Sequence, residues 1–338
     1  MPDTQEIASN VPNSSNSPIP VESRSLHGFD TFAILEPVRS HLVGLIRNYV
    51  EEYAGASKFP GPNPCSIERA DLRSLRGHKY WICDKTDGIR CLLVCLQYVH
   101  EGRAGNEPLK LAVLVTRSWE LFLVKIDICP RVWRQGLVCD GELVKIDTQW
   151  TWLGFDAIIV SGVPVWKEPL SHRIQAARAT MFDYRQSPGE IRITWKRYYD
   201  SMEEYMRTKN DSNRHPSDGV ILTPEDDPVR AGRHKRLYKL KDGDKHTVDF
   251  LVTNEVDLSV YNPAIKGHVV VAKLTTALSA QADAGSHPLI AECAFADNQW
   301  TFVCTRTDKA TANDMLTYNK TLVNIEEKLT LNDLVGVL

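Results

Sequence analysis

The sequence predicts an antiparallel-rich α+β domain followed by a small five-stranded β-barrel. Between residues 80 and 160 the chain consists mainly of short apolar and β-branched runs separated by turn residues, and one helical pattern follows near residues 171–182. Strands without regularly alternating helices indicate antiparallel sheets. Beyond residue 245, five further short runs follow in close succession, from TVDFLVT to WTFVCT. Five such strands are typical of a barrel of the OB type.

Length and composition are those of an ordinary globular protein with about two domains. Of the 338 residues, 43% are hydrophobic and 25% are charged, which excludes fibrous and wholly disordered classes. The formal net charge is −3. This value excludes a protein that coats nucleic acid through bulk positive charge, but it is compatible with an enzyme that holds one end of a polynucleotide.

The cysteine pattern indicates reduced thiols in an intracellular, soluble protein. The chain has eight Cys and no CxxC pair, and several of them lie in apolar runs such as CLLVCL. The sequence contains no stretch of 18 apolar residues, and its start lacks a basic-then-apolar signal pattern. We therefore expect no disulfide framework, no structural zinc and no membrane contact.

Changes in composition along the chain predict four segments. Residues 1–24 are rich in Ser, Asn and Pro and are expected to form a disordered arm. The larger domain is predicted to span 25–242 and to begin with a helix after Glu36, followed by a loop at the FPGPNP segment. The barrel is predicted over 243–328. A C-terminal helix over 329–338 is expected to pack back on the larger domain.

The most informative local signal is the KTDGIR segment at residues 85–90. It lies between two strand-like runs, so Lys85 projects from a strand end or a tight loop. Taken alone, the segment could be an exposed hairpin, because Asp-Gly is a common turn dipeptide. Three later strand edges also carry charged segments: DGELV at 140–144, SDGVIL at 217–222 and YKLK at 238–241. Strand alternation places Lys239 and Lys241 on one face, and this pair fits a phosphate-binding cradle.

Taken in order, these segments resemble the covalent nucleotidyltransferases, the superfamily of mRNA capping enzymes and polynucleotide ligases. KTDGIR has the capping-enzyme form of the nucleophile motif. The FPGPNPCSI segment at 59–67, TVDF at 247–250 and RTDK at 306–309 also resemble capping-enzyme motifs. The similarity extends from about Lys58 to about Leu334, and it is greatest to the small single-function capping enzymes of chlorella viruses. Asp242 departs from the pattern, since many relatives have Pro there.

The resemblance implies a ligase-type, ATP-grasp-like nucleotidyltransferase domain, an OB-fold domain and mRNA guanylyltransferase activity. Lys85 would attack the α-phosphorus of GTP, release pyrophosphate and form lysyl–GMP. The 5′-diphosphate end of RNA would then take the GMP to form the GpppN cap. A free lysine is almost entirely protonated at pH 7. Lys239, Lys241 and a bound divalent metal would therefore favour the neutral, nucleophilic form of Lys85.

The resemblance also implies the residues that hold GTP. Contacts to the base, ribose or phosphates are expected from Thr86, Arg90, Arg117, Glu142, Phe155, Lys196, Asp218, Lys239 and Lys241. Phe155 would stack on guanine, and Asp218 is the candidate ligand of Mg²⁺ or Mn²⁺. The remaining implied catalytic residues, Arg306, Asp308 and Lys309, lie on the predicted barrel. They reach Lys85 only if the two domains close.

Two alternatives stay open at this point. An ATP-dependent polynucleotide ligase shares the lysyl–nucleotide step, and a non-catalytic RNA-binding protein could use the same fold. The four capping-type motifs favour capping, and the choice between GTP and ATP would separate the two enzymes. Because no HCx5R phosphatase signature is present, we expect the RNA triphosphatase and the cap methyltransferase to be separate chains. The protein is expected to be a monomer and, if viral, to act in the nucleus or cytoplasm of an infected host cell.

Overall fold

The computed structural model describes most of the chain. The described residues are 19–54, 59–99, 108–181, 184, 191–209, 215–228, 230–241, 246–278, 289–306, 309 and 311–338. The strands are β1 (Val21–Leu26), β2 (Phe29–Ile34), β3 (Pro62–Ser66), β4 (Tyr80–Thr86), β5 (Ile89–Tyr98), β6 (Leu109–Thr116), β7 (Leu121–Val124), β8 (Leu137–Ile146), β9 (Gln149–Val160), β10 (Val163–Pro164), β11 (Arg192–Trp195), β12 (Ser217–Pro224), β13 (Gly232–Lys241), β14 (Thr247–Thr253), β15 (Asp257–Asn262), β16 (Gly267–Lys273), β17 (Leu289–Ala296) and β18 (Gln299–Thr305). The helices are α1 (Val38–Ala54), α2 (Leu72–Leu75), α3 (Pro130–Gln135), α4 (Leu170–Thr180), α5 (Met202–Thr208) and α6 (Met315–Glu327).

Two sheets build the larger domain. The first has nine strands in the order β1-β2-β7-β6-β5-β8-β9-β10, with β11 also paired to β9, and the second has four in the order β3-β13-β12-β4. All of these pairs are antiparallel except β11 with β9 and β13 with β3. The predicted antiparallel-rich α+β class is therefore confirmed. The turn at Asp87 and Gly88 leads the chain from β4 in the smaller sheet into β5 in the larger one, so it lies between the two sheets.

The central strands of the nine-stranded sheet are buried on both faces. Leu92 of β5 packs in a cluster with Leu42 of α1, whereas the next residue, Leu93, packs with Ala177 of α4 on the opposite face. A strand that is covered on both sides has no polar face, and it therefore reads as a continuous apolar run. This explains the CLLVCL segment, in which the expected alternation of polar and apolar residues is missing.

The C-terminal strands form the expected barrel, in a partly open version. Their order is β16-β15-β14-β17-β18, and every pair is antiparallel. Within the described residues, the edge strands meet only at one parallel bridge, between Leu274 and Trp300. Phe250 lies in the centre of the sheet, with ring centroids 5.0 Å from Trp300 and 5.9 Å from Tyr318 of α6. The helix α6 thus fills the side where the strands do not pair.

The expected N-terminal arm ends earlier than predicted. Residues 1–18 lie outside the described residues, but Val21–Leu26 is a strand that pairs along its whole length with β2. Ile19 is buried, with 3% of its surface exposed. The VESRSL segment has little apolar character because Ser23, Arg24 and Ser25 are exposed on this edge strand, so its composition resembles that of a disordered segment.

The C-terminal segment packs where it was expected, but it is not a long helix. The helix α6 ends at Glu327, and Lys328 follows in the left-handed conformation with φ 47°. The only regular element beyond it in the described chain is a 3-10 turn over Leu331–Leu334. Leu331 and Leu334 are buried in the cluster beneath the four-stranded sheet. The predicted boundary at residues 242 and 243 lies outside the described residues and stays a prediction.

Most of the cysteines are buried in the fold. All eight lie in the described ranges, and none is in a disulfide. Cys91, Cys95 and Cys139 are buried, and this burial raises the pKa of each thiol. Such thiols behave as small apolar side chains. Among the helices that the structure describes, none is long and apolar enough to cross a membrane.

A buried ion pair fixes α4 against β9 and generates a stability prediction. Arg173, 1% exposed, donates from Nε to Asp156 Oδ1 over 2.7 Å and from Nη2 to Oδ2 over 3.0 Å. We expect Arg173→Ala to lower the free energy of unfolding by about 3–5 kcal/mol, because it leaves the carboxylate buried and unpaired. Urea unfolding followed by circular dichroism measures this loss.

The matched control is Arg192→Ala, which removes an exposed arginine from β11. Its expected effect is within about 0.5 kcal/mol. Equal effects of the two substitutions would contradict the importance assigned to the buried pair.

Candidate active site

A wide cleft opens between the two sheets of the larger domain. The ends of β4, β5, β8, β12 and β13 line it, together with residues that follow β18 in the barrel. Most of the side chains singled out in the sequence lie in this cleft. They are Lys85, Thr86, Arg90, Arg117, Glu142, Phe155, Lys196, Lys239, Arg306 and Lys309.

Lys85 is held at the end of β4 by an ion pair with Asp218 of β12. Lys85 Nζ lies 2.5 Å from Asp218 Oδ1, and Lys241 Nζ lies 3.7 Å from Oδ2 of the same carboxylate. The pairing of β4 with β12 is irregular between Ser217 and Val220, and Asp218 lies within this bulge. Glycine is required next to it, because Gly219 has φ +148° and a Cβ there would lie 2.0 Å from the Leu240 carbonyl oxygen.

Asp218, expected near the metal and the phosphates, directly contacts Lys85. Its carboxylate lies 2.5 Å from Nζ and forms an ion pair with it. Lys85, the predicted nucleophile, is therefore held in place by a group that could also accept a proton. The sequence placed a charged residue at each of these strand ends, but the distance between them depends on the bulge in β12.

Lys239 and Lys241 lie on the same face of β13, as strand alternation predicts. Burial, together with the charges of Lys85 and Lys241, lowers the pKa of Lys239 to about 8. The pKa of Lys241 is also lowered, first by burial and then by Lys85. Three ammonium groups thus share one partly desolvated region, and an anionic ligand such as a phosphate group would relieve their repulsion.

A second ion pair, between Lys196 and Glu142, lies in the same cleft. Lys196 follows β11 and is 4% exposed, with Nζ 2.9 Å from Glu142 Oε2. The same Nζ lies 5.0 Å from the centre of the Phe155 ring. The pairing of β11 with β9 sets this arrangement, because Trp195 lies opposite Gly154 in the register. A flat ring with cations beside it suits a polarisable aromatic ligand.

The FPG segment holds Arg90 in the cleft. Arg90 donates to both oxygens of Asp140, over 3.1 and 2.5 Å, and to the Pro62 carbonyl over 2.7 Å. Gly61 permits this approach, because a Cβ there would lie 2.5 Å from Arg90 Nη2. Arg117 lies nearby, and its pKa is lowered by burial and by the charge of Arg90.

Thr86 and His234, which line the cleft, each have a buried polar atom without a hydrogen-bond partner among the described residues. The Thr86 hydroxyl oxygen is buried and makes no hydrogen bond in the part of the chain that the structure describes. A buried hydroxyl without a partner is unfavourable, and such groups in a cleft usually meet a ligand or an ordered water. The residue that follows Lys85 therefore offers a hydrogen bond to a bound molecule.

The barrel contributes cations to the same cleft. Arg306 Nη1 lies 2.9 Å from Asp249 Oδ1 and 3.3 Å from Glu292 Oε2, and Lys309 Nζ contacts the other oxygen of Asp249. Because Arg306 and Lys309 line the cleft with Lys85, the two domains are closed in this structure. Asp308, the third predicted residue of this motif, lies outside the described residues.

The contacts between α6 and the larger domain explain how the barrel is held. Lys320 Nζ lies 2.8 Å from Glu68 Oε1, and Asn324 Nδ2 donates to the Ile67 carbonyl over 2.6 Å. Arg233 of β13 reaches Asp314, the N-cap of α6, over 3.8 Å. The segment after β3, the strand β13 and the helix α6 thus connect the barrel to the larger domain.

Two acidic residues with a part in the site were missed at the sequence level. Asp249 binds both Arg306 and Lys309, and Asp140 binds Arg90. Both are nearly fully buried, at 6% and 1% exposure. The signal was present, since an acidic residue inside an apolar strand requires a cationic partner. The sequence does not show which cation is the partner, because the fold brings the two residues together.

The described residues offer no preformed metal cage, because they contain no cluster of three or more His, Cys, Asp or Glu side chains suited to an ion. Asp218, the predicted metal ligand, lies beside Lys85 and offers a carboxylate there. Mg²⁺ commonly uses one or two carboxylates together with the phosphates of a substrate. The residues present fit that mode of binding.

The lowered pKa of Lys239 predicts a pH-dependent cost to stability. Its usual pKa is 10.5, and in the fold it is about 8. Between these values the unfolded chain binds more protons than the folded chain, so this group makes stability rise with pH. We expect Lys239→Met to be more stable than the wild type at pH 7, and the difference to shrink by pH 10.

Urea unfolding of both proteins at pH 7 and pH 10 tests this prediction. Lys235→Met is the matched control, because Lys235 lies exposed on the same strand. It should give the same difference from wild type at both pH values. A difference for Lys239→Met that does not change with pH would contradict the assigned cause.

Comparisons with known proteins identify the family. The family model for the mRNA capping enzyme catalytic domain matches residues 36–243, and that for the mRNA capping enzyme C-terminal domain matches residues 234–335. Among solved structures, a mycobacterial DNA ligase D complexed with ATP and MES aligns at a TM-score of 0.41 and 14% identity, covering 73% of this chain and 94% of that chain.

Curated relatives carry capping-enzyme names. The mRNA-capping enzyme subunit alpha of Yarrowia lipolytica is 28% identical over 58% of this chain and 54% of its own length. The Schizosaccharomyces pombe protein of that name is 25% identical over 87% and 83%, and the Saccharomyces cerevisiae protein is 27% identical over 61% and 50%. The chain thus spans about half the length of two of these three relatives. Nearness to the chlorella virus enzymes stays a prediction. Both family models favour capping over ligation, and the chain belongs to the mRNA capping enzyme family.

Proposed function

We propose that this chain is an mRNA guanylyltransferase that transfers GMP from GTP, through Lys85, to the 5′-diphosphate end of RNA. Family membership supports this proposal. The observation that carries it is the position of Lys85, which faces Asp218 at 2.5 Å in a cleft that also contains cations from both domains. A nucleophilic amine beside a proton acceptor, with cations around it, suits attack on a phosphate.

In the first step, Lys85 Nζ attacks the α-phosphorus of GTP. The P–N bond forms as the bond from the α-phosphorus to the bridging oxygen breaks, and pyrophosphate leaves with that electron pair. The amine must lose a proton before or during the attack. Asp218 Oδ1 is positioned to accept it, because it already contacts Nζ.

The cations of the cleft would bind the phosphates. Lys239 and Lys241 belong to the same domain as Lys85, so they would contact the phosphate that is attacked. Arg306 and Lys309 come from the barrel and would contact the β- and γ-phosphates, together with Asp308. In the present structure Asp249 neutralises this barrel pair. Binding of GTP would replace part of that interaction with phosphate oxygens.

The other side of the cleft would hold the nucleoside. The Phe155 ring would stack on guanine, and Lys196 and the unpartnered Thr86 hydroxyl would offer donors to the edge of the base. Glu142 and Arg90, adjacent across β8 and β5, would contact the ribose. Arg117 would complete the binding of the phosphates.

A divalent cation, Mg²⁺ or Mn²⁺, would be held by Asp218 and the phosphates of GTP. When bound, it would neutralise charge on the phosphoryl oxygens. Asp218 would have to exchange part of its contact with Lys85 for the metal. This exchange would release the amine from its ion pair at the stage where it is needed.

In the second step, the terminal phosphate oxygen of the RNA 5′-diphosphate would attack the phosphorus of lysyl–GMP, and the P–N bond would break. We propose that a separate RNA triphosphatase prepares this RNA end and that a separate methyltransferase acts on the cap. We also propose that the chain acts as a monomer. The proposed chemistry is the same for a viral and a cellular enzyme, and it is the same in the nucleus and in the cytoplasm.

Labelling with a radioactive nucleotide tests the proposal. The purified chain is incubated with α-labelled GTP or ATP and Mg²⁺ or Mn²⁺, then separated on a denaturing gel. We expect label from GTP only, lost in Lys85→Ala, and transfer of the label to 5′-diphosphate RNA. Lys145→Ala, which changes an exposed lysine on β8, should label normally.

Other outcomes of this assay would point elsewhere. Label from ATP only would indicate a ligase. Absence of label from either nucleotide, with a folded protein, would favour a non-catalytic RNA-binding role and overturn the proposal.

The barrel cations generate a separate prediction. We expect Arg306→Ala to lower the rate of lysyl–GMP formation by about 10²–10³-fold, which is the usual cost of removing one preorganised charge-stabilising donor. The rate is measured by rapid quench with saturating labelled GTP. Val303→Ala, an exposed position on the preceding strand, is the control. Equal rates for Arg306→Ala and wild type would show that the barrel does not take part in the first step.

A further inference from the structure

Asp84 is a buried acidic residue directly before Lys85, and the proposed chemistry does not use it. Its exposure is 6%. Because side chains alternate along β4, its side chain lies on the face opposite that of Lys85. On this side the four-stranded sheet covers an apolar cluster that includes Ile82, Val220 and Tyr205. A carboxylate in such surroundings is costly unless it is well bonded.

Two side chains from separate segments meet the Asp84 carboxylate. Tyr205 of α5 donates its hydroxyl to Oδ1 over 2.9 Å, and this tyrosine is 1% exposed. His215, just before β12, places Nε2 3.7 Å from Oδ2, which is within ion-pair distance but beyond hydrogen-bond distance. The Asp84 backbone carbonyl accepts a further hydrogen bond from Lys196 Nζ over 3.2 Å. One residue therefore joins β4 to α5, to the start of β12 and to the residue that follows β11.

The segments joined by Asp84 are those that carry the reacting groups. Lys85 follows Asp84 directly, and the segment that begins at His215 continues into Asp218. These segments are also tied together by their backbones, because the Asp87 amide donates to the Pro216 carbonyl over 3.2 Å. The carboxylate beneath the strand thus holds both members of the Lys85–Asp218 pair.

We propose that Asp84, Tyr205 and His215 form a positioning group that fixes Lys85 against Asp218 for attack on GTP. This proposal rests on the proposed function. The group touches neither GTP nor the reacting atoms in the proposed reaction, so it acts through the backbone of β4 and β12. A displacement of about 1 Å at a reacting atom can cost about 10²-fold in rate. Loss of the group should therefore slow lysyl–GMP formation and leave the affinity for GTP nearly unchanged.

Three variants separate a positioning role from simple packing. Tyr205→Phe removes the hydroxyl donor and keeps the ring. Asp84→Asn keeps an oxygen that accepts from Tyr205 and an amide that faces His215, whereas Asp84→Leu keeps the volume and removes every polar contact. We expect Asp84→Asn to react within about threefold of wild type, and the other two to be at least tenfold slower at saturating GTP.

Binding and local order are measured beside the rate. GTP affinity is determined by equilibrium binding in the Lys85→Ala background, where it should change less than about threefold. Hydrogen exchange of the peptide that covers β4 and the following turn should increase in Tyr205→Phe. Tyr184→Phe is the matched control, because its hydroxyl donates to the Ile191 carbonyl over 2.7 Å in another part of the fold. It should change neither measurement.

Three results would each overturn the proposal. Equal rates for folded Asp84→Leu and Asp84→Asn would overturn it, as would unchanged exchange in Tyr205→Phe. A loss of GTP affinity that accounts for the whole effect would also overturn it. If the wild type takes no label from GTP, the proposed function fails, and hydrogen exchange still reports whether the group orders the end of β4.

Discussion

The repulsion between cations gathered in one cleft is the constraint on which the site depends. Lys85 comes from β4, Lys239 and Lys241 come from β13, and β12 lies between these two strands; the barrel adds Arg306 and Lys309. Ammonium groups at these distances in a partly desolvated cleft oppose one another, which the lowered pKa of Lys239 reflects. The fold tolerates them because Asp218 and Asp249 each contact two of them. These contacts prepare the cleft for a polyphosphate, whose oxygens can replace the carboxylates.

The same constraint links the site to the arrangement of the domains. The barrel cations reach the cleft only because α6 is held against the segment after β3, through Lys320, Asn324 and Arg233. These contacts lie apart from Asp249 and its partners. Asp249 and its partners Arg306 and Lys309 all belong to the barrel, so these ion pairs do not join the two domains. The contacts of α6 therefore support the closed arrangement, and binding of GTP and then RNA can rearrange the charges in the cleft while these contacts stay in place.

Buried polar groups next to the cleft fix the positions of the side chains in the site. Asp140 holds Arg90, Asp156 holds Arg173, and Asp84 joins three segments around Lys85. Each carboxylate lies in or beside an apolar cluster, where an unpaired charge would be unfavourable. Because each pairs across different strands or helices, the pairs restrict how these elements can shift relative to one another. They also explain why acidic residues occur inside otherwise apolar strands of this chain.

The sequence by itself determined the fold class, the order of the strands' apolar runs and the residue types of the site. Periodicity and turn residues suffice to predict these features, because pairing between strands that are neighbours in the chain depends on nearby residues. The resemblance to capping enzymes added roles for Lys85, Lys239 and Lys241. The predictions from composition and pattern were wrong at Val21–Leu26, which is an edge strand, and at the C-terminus, which contains a 3-10 turn. Both segments are stabilised by residues that are distant in the chain.

Only the tertiary structure decided which charged side chains contact one another. The bulge at Gly219 sets Asp218 against Lys85, and closure of the barrel brings Arg306 to the cleft. Both depend on contacts between residues far apart in the chain, which no local pattern encodes.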